Sequence, residues 1–107
     1  MMESSPDKRN IIWKEWETYE DILFHKCQEG IARISINRPE KRNSFRPQTI
    51  DELLDAFNKV KNDSDIGVIL FTGEGPDKKG VFSFSAGGDQ SIRGKNGYRD
   101  KNGAQKL

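Results

Sequence analysis

The run Ile66–Thr72 (IGVILFT) carries no charge, in a chain of 107 residues of which 33% are Asp, Glu, Lys or Arg. A short, almost wholly apolar run of this kind suits a strand buried on both faces. A helix signal precedes it. Ile50, Leu53, Leu54, Phe57 and Val60 fall at i, i+3, i+4, i+7 and i+10, one apolar stripe at helical spacing. Pro47 suits a first helical turn, Thr49 and Glu52 have the spacing of a capping box, and Asn62-Asp63-Ser64-Asp65 ends the pattern. Upstream, Asp21–Lys26 (DILFHK) and Ile31–Ile36 (IARISI) read as two strands joined by Cys27-Gln28-Glu29-Gly30. Ala32, Ile34 and Ile36 share one face of the second strand, with Arg33 and Ser35 on the other. Asn37-Arg38-Pro39 ends it, because proline offers no ladder donor. The spacing therefore predicts an α/β chain with a strand–helix–strand unit of right-handed crossover. Downstream, Val81–Ser85 (VFSFS) reads as a short strand with Phe82 and Phe84 on one face, and Ala86-Gly87-Gly88-Asp89 as a tight turn.

A parallel sheet needs cover on both faces. One helix covers one face, and nothing else in the sequence is placed to cover the other. The expectation is a fold short of one wall. Composition agrees: apolar residues make up 33%, and adding the 10 glycines leaves the chain below the roughly 45–50% of an average globular domain. No run of about 18 apolar residues suggests a membrane span. The opening MMESSPDKRN lacks the apolar centre of a secretory signal. A single cysteine, Cys27, forms no internal disulfide. A net charge of +1 argues against general binding of nucleic acid. We expect a soluble, intracellular protein with a disordered tail over 1–10, core-forming material over 11–90, and a hydrophilic segment over 91–107. That last segment carries Arg93, Lys95, Arg99, Lys101 and Lys106 against Asp100 alone.

Several features could carry chemistry. Glycines after a strand allow close backbone approach, and N–H groups in such a turn can hold an oxyanion, each worth on the order of 3 kcal/mol in a transition state. The basic segment Arg38–Arg46 (RPEKRNSFR) places Arg38, Lys41, Arg42 and Arg46 ahead of a helix N-terminus and could hold phosphates. Either could equally be an ordinary solvated loop. Gly73–Gly80 (GEGPDKKG) matches neither a P-loop nor a dinucleotide motif and reads as a connection. His25 and Cys27 are too few for a zinc site and read as packing residues, as do Trp13 and Trp16.

Three stretches, in this order and at these spacings, resemble the crotonase (enoyl-CoA hydratase/isomerase) superfamily: NRPEKRNSFR from Asn37, GVILFTGEGP from Gly67 and FSAGGDQSIRGKNGY from Phe84. Within it the chain looks like the naphthoate synthases. The turn ends Gly-Gly-Asp-Gln, an Arg93-Gly94 and a Gly97-Tyr98 follow, and the opening Trp13-Lys14…Tyr19-Glu20-Asp21-Ile22 also matches. The resemblance covers about residues 12–104 but only the first two-fifths or so of a typical member. It implies the N-terminal part of a ββα spiral fold, with a helical trimerisation region to follow and homohexamers (dimers of trimers) common.

The reaction it implies is an intramolecular Claisen condensation of o-succinylbenzoyl-CoA, with loss of water, to 1,4-dihydroxy-2-naphthoyl-CoA in menaquinone or phylloquinone synthesis. The location implied is the cytoplasm, or a plastid or peroxisome in a photosynthetic eukaryote. No covalent cofactor or metal is implied; the CoA thioester is substrate. By position, the N–H of Gly88 would be one oxyanion donor, with Gly87 allowing close approach. Lys41 and Arg42, with the backbone near Ser44, would line the path of the CoA phosphates and pantetheine. Ala86, Gly87, Asp89 and Gln90 would border the adenine and thioester pocket. Tyr98 would orient or protonate substrate from an active-site loop that Arg93 helps to order. Ala86 and Ser44 depart from the serine and alanine usual there. The second oxyanion donor, the Ser/Asp acid–base groups, a bicarbonate or carboxylate base and a tyrosine from a neighbouring subunit would all come after Leu107, so the 107-residue chain alone is expected to be inactive. Another crotonase enzyme such as an enoyl-CoA hydratase, a non-catalytic CoA-binding module, and an RNA-binding tail on a small domain remain alternatives.

Overall fold

The computed structural model describes residues 10–92. Four strands form one sheet in sequence order: β1 (Lys14–Thr18), β2 (Ile22–Lys26), β3 (Ile31–Ile36) and β4 (Val68–Gly73). The first two pairings are antiparallel. The third is parallel, with Ile34 opposite Phe71. Helix α1 (Pro47–Lys61) connects β3 to β4, so the strand–helix–strand unit stands as its spacing predicts.

Alternation in the strands and the stripe on the helix meet in one core. Ile22 and Phe24 of β2 and Ala32 and Ile34 of β3 face Ala56 and Val60 of α1. Full burial of each Ile or Phe contributes on the order of 1.5–3 kcal/mol. Trp16 stacks on Phe24 at 4.5 Å between centroids, and the Lys26 ammonium lies 4.3 Å over Trp16. The Arg33 guanidinium lies 4.4 Å over Trp13. Both tryptophans are packing anchors. The segment of Trp16, KEWET, has no alternation that announces a strand; β1 exists through its pairing with β2, past an irregularity between Glu15 and Glu17.

The start of α1 is held from outside the helix. Thr49 does not pair with Glu52 as a capping box. Its hydroxyl oxygen instead accepts from the Arg46 N–H at 3.2 Å and the hydroxyl donates to the buried Asp21 carboxylate at 2.6 Å. Glu52 reaches across to the β1–β2 connection, where its carboxylate accepts from the N–H groups of Asp21 (2.7 Å) and Glu20 (3.2 Å). The Arg46 guanidinium donates to both Asp21 oxygens, at 2.8 and 2.6 Å. A second tie joins the Tyr19 hydroxyl to Asp55, which also pairs with Lys59 at 2.9 Å.

Three further expectations are corrected. Leu54 is exposed and Ala56 takes its place in the core, since the buried stripe follows 53, 56, 57 and 60. β4 is an edge strand among the described residues, and Val68 to Phe71 are 39–57% exposed rather than buried on both faces. Val81–Ser85 forms no strand and bends at Phe84, because no described segment offers it a ladder. Val81 is instead tied to Asp77, and Phe84 packs edge-on against Phe71 at 5.1 Å while Phe82 is 73% exposed. The tail read over 1–10 falls outside the described residues except for Asn10, as does the segment after Ile92. No helix among the described residues is long and apolar enough to cross a membrane.

Candidate active site

The segment after β3 folds back on itself. Pro39–Lys41 makes one 3-10 turn, and Arg42 and Asn43 then take positive φ of 55° and 58°. Asparagine tolerates that region and arginine does so at a cost. Both are held by their neighbours: the Arg42 N–H donates to the Pro39 carbonyl at 2.9 Å and the Asn43 N–H to the Arg38 carbonyl at 2.8 Å. The Asn43 side chain is fully buried with every group in use. Its Oδ1 accepts from the Arg38 N–H at 2.8 Å, and its Nδ2 donates to the carbonyls of Glu74 (2.6 Å) and Ser83 (2.7 Å). A Cβ at Gly73 would lie 2.6 Å from the Ser83 carbonyl oxygen, so the chain can cross here only because residue 73 has no side chain.

These contacts lay residues 42–45 beside residues 86–89. The Ala86 N–H donates to the Arg42 carbonyl at 2.9 Å, the Phe45 N–H to the Gly87 carbonyl at 2.9 Å, and the Asp89 N–H to the Phe45 carbonyl at 2.8 Å. Phe45 and Gly88 thereby form a parallel bridge. In such a bridge the residues flanking Gly88 make the hydrogen bonds, and its own N–H points away from Phe45. Peptide planarity requires the same: the Gly87 carbonyl aims at Phe45, so the Gly88 N–H on the same trans peptide aims the opposite way. Among the described residues no acceptor takes it. Gly87, at φ 94°, lets the chain make this turn, and its own N–H donates to the Ser85 hydroxyl oxygen at 3.1 Å.

The basic residues divide into two kinds. Arg46 is spent on Asp21, and Arg38 pairs with Asp89 at 3.0 Å, with side chains 12% and 8% exposed. The phosphate reading of the whole box thus narrows: Arg38 and Arg46 hold the fold. Lys41 and Arg42 are exposed, and no carboxylate among the described residues pairs with them. The Asp89 side chain is buried against Arg38 and Ser91. The Ser91 hydroxyl (2.6 Å), then its N–H, then Arg38 hold the Asp89 carboxyl below the usual range, although burial opposes them. It is a fixed anion at neutral pH. Ser44 is buried and Ala86 and Gln90 are exposed at the turn. Tyr98 and Arg93 lie outside the described residues. Reasoning from sequence missed Arg38 as a partner of Asp89 and missed the role of Asn43, whose one signal was its place in the NRPEKRN box.

Beside the turn runs an open apolar groove of about 560 Å³, walled by Phe45, Ile50, Leu53, Phe71 and Phe84 and reaching Gly87. A larger concavity, about 720 Å³, sits at the other end of the sheet around Lys26, Cys27 and Asp65. It touches no part of the turn and mixes charges of both signs, so the turn is the better candidate. Among the described residues no cluster of His, Cys, Asp and Glu could hold a metal, and Cys27 is a buried free thiol. The turn offers a preorganised N–H donor, and the segment bridged to it begins at two exposed cations, Lys41 and Arg42, which suits an oxygen that gains negative charge on a larger anionic molecule.

Comparison with known proteins bears on this geometry. Residues 26–106 match the family described as enoyl-CoA hydratase/isomerase. A crystal structure of an enoyl-CoA hydratase/isomerase from Xanthobacter autotrophicus Py2 is similar at 29% identity, with a TM-score of 0.62 over 71% of this chain and 26% of that one. An enoyl-CoA hydratase from Mycobacterium tuberculosis H37Rv matches at 28% identity and a TM-score of 0.57, over 67% and 29%. A probable enoyl-CoA hydratase from Mycobacterium thermoresistibile matches at 33% identity and 0.57, over 67% and 27%. The chain spans between about a quarter and a third of the length of these structures.

Proposed function

The chain belongs to the enoyl-CoA hydratase/isomerase family, and from that premise we propose that it takes part in enolate chemistry on an acyl-CoA thioester. The observation that carries this is the outward Gly88 N–H, fixed by the bridge to Phe45. When the carbon next to a thioester loses a proton, charge moves to the thioester oxygen, and a donor already in place stabilises that charge without reorganising. Lys41 and Arg42 would meet the CoA phosphates. Asp89 is tied to Ser91 and Arg38 and is not the base.

At the finer level the proposal is a naphthoate synthase type of ring closure. The α-carbon of o-succinylbenzoyl-CoA loses a proton to a base, attacks the ring carboxyl carbon to form one C–C bond, and water departs. Gly-Gly-Asp-Gln at the turn and the Arg93…Tyr98 segment support it. The second reading is hydration of an enoyl-CoA. It is favoured by the solved structures to which the chain is similar, each described as a hydratase or hydratase/isomerase. Both place negative charge on a thioester oxygen; the hexamer is a proposal under either reading, and the bicarbonate or carboxylate base is one under ring closure.

The test is an amide NMR titration of the 107-residue chain with o-succinylbenzoyl-CoA and, separately, crotonyl-CoA. The Gly88 amide is expected to move downfield, with shifts at Lys41 and Arg42. Tighter binding of o-succinylbenzoyl-CoA supports ring closure, and tighter binding of crotonyl-CoA supports hydration. An unmoved Gly88 with both ligands overturns the proposal.

A further inference from the structure

Arg38 sits at the head of a line of hydrogen-bonded peptides that ends at Gly88. Its Nη1 donates to the Ser44 carbonyl at 2.7 Å. The N–H at the other end of that peptide belongs to Phe45 and donates to the Gly87 carbonyl at 2.9 Å. The N–H at the other end of the next peptide is that of Gly88. Each peptide is planar and trans, so accepting at oxygen and donating at nitrogen share one axis. The second arm of the guanidinium, Nη2, is pinned by the Asp89 carboxylate at 3.0 Å, and both side chains are almost fully buried.

We infer that Arg38 is a positioning residue for the Gly88 donor: its buried positive charge aims and polarises that N–H through the Ser44–Phe45 and Gly87–Gly88 peptides. A cationic donor at one end of a peptide line withdraws electron density along it, and each link strengthens the next by roughly 10–30%. The planar fork also fixes direction, since one arm grips the line and the other grips Asp89, one residue beyond the donor. Neither effect requires Arg38 to touch the ligand. The inference rests on the reading of Gly88 as an oxyanion donor, and the test separates the two.

The experiment compares binding of butyryl-CoA with that of S-butyl-CoA, a thioether of the same length that lacks the carbonyl oxygen. Their affinity ratio isolates the interaction at that oxygen. Structural damage alone lowers both affinities and leaves the ratio in place. The native chain is expected to prefer the thioester. Arg38→Gln, which keeps a neutral donor, is expected to reduce the preference roughly two- to fivefold and to move the Gly88 amide proton upfield. Arg38→Lys, which keeps the charge but not the fork, is expected to fall between the two. A folded Arg38→Gln chain with the native ratio overturns the inference. If Arg38→Gln does not fold, Arg38→Met, which removes charge and donor together, decides by the same ratio: a native preference overturns the inference and a reduced one supports it. A native chain that does not distinguish the two ligands overturns the oxyanion reading itself, and the inference with it.

Discussion

The Asn43 side-chain amide donates to the Ser83 carbonyl at 2.7 Å, 40 residues further along the chain. The same nitrogen holds the Glu74 carbonyl, and the Asn43 oxygen holds the Arg38 N–H. One buried side chain thus joins the end of β3, the end of β4 and the approach to the Gly-Gly turn. Asn43→Ala leaves these three backbone groups without their partner, at a cost of about 1–3 kcal/mol for each one that stays dry. The expected result is a loss of at least about 3 kcal/mol in a urea melt. Asn43→Asp is expected to be at least as damaging at neutral pH, because a carboxylate would face two carbonyl oxygens. A variant of native stability at either substitution contradicts this account.

Gly73 and Gly87 are expected to fail for different reasons. Alanine at 73 would press its Cβ against the Ser83 carbonyl oxygen, and the segment leading to the turn must move. Alanine at 87 meets nothing within 4 Å but has to adopt φ 94°. Its cost is conformational, about 1–2 kcal/mol. Gly73→Ala should therefore shift amide signals from 83 to 88 throughout, while Gly87→Ala lowers the melting midpoint with smaller, local shifts.

The Asp21 carboxyl titrates below its ordinary 3.8: burial alone would raise it, but hydrogen bonds from Arg46 and Thr49 outweigh that effect. Stabilisation from such a group is complete above the unfolded pKa and is lost as pH falls through the folded one. Native stability is thus expected to be steady from pH 7 to about 5 and to fall below about 4. Asp21→Asn should be less stable at pH 7 and show a shallower fall. Arg46→Met is expected to cost roughly 2 kcal/mol at pH 7. That is less than the 3–5 kcal/mol of a fully buried pair, since the guanidinium is 32% exposed. Denaturant melts at each pH measure all three, and a parallel pH dependence in Asp21→Asn would show that this carboxylate is not responsible.

Lys41 and Arg42 are exposed, so their removal should spare the fold and weaken binding of the CoA phosphates. Lys41→Ala is expected to lower CoA affinity several-fold at low salt and much less at high salt, where screening already weakens the contact. Arg42→Gly removes the charge and relieves the positive φ at 55°. It should bind less tightly with no loss of stability. Calorimetric titrations at two ionic strengths check both, and affinities that ignore salt would remove these residues from the binding path.

The elements most legible in the sequence were those whose pattern is local. The alternation of IARISI and the stripe from Leu53 to Val60 report β3 and α1 directly, because side-chain period follows backbone geometry. β1 was not legible, because its strand state depends on β2 and the stack of Trp16 on Phe24. VFSFS misled for the converse reason: it has a strand's alternation but no ladder partner among the described residues, and a strand is a relation between segments. At the turn, the Gly87-Gly88 pair is a local signal. The pairing of Arg38 with Asp89 joins positions 51 apart and leaves no local trace.

Successive N–H groups along an extended segment point to opposite sides. The bridge between Phe45 and Gly88 therefore acts as a phase setting. If one residue were inserted or lost between Ser83 and Gly88, the Asn43 anchor would stay and the pairing with Phe45 would advance by one. The amide now directed outward would then face inward. The length of this short stretch is under tighter constraint than the identity of Ser85 or Ala86, and variation there should appear as exchanged side chains at constant spacing.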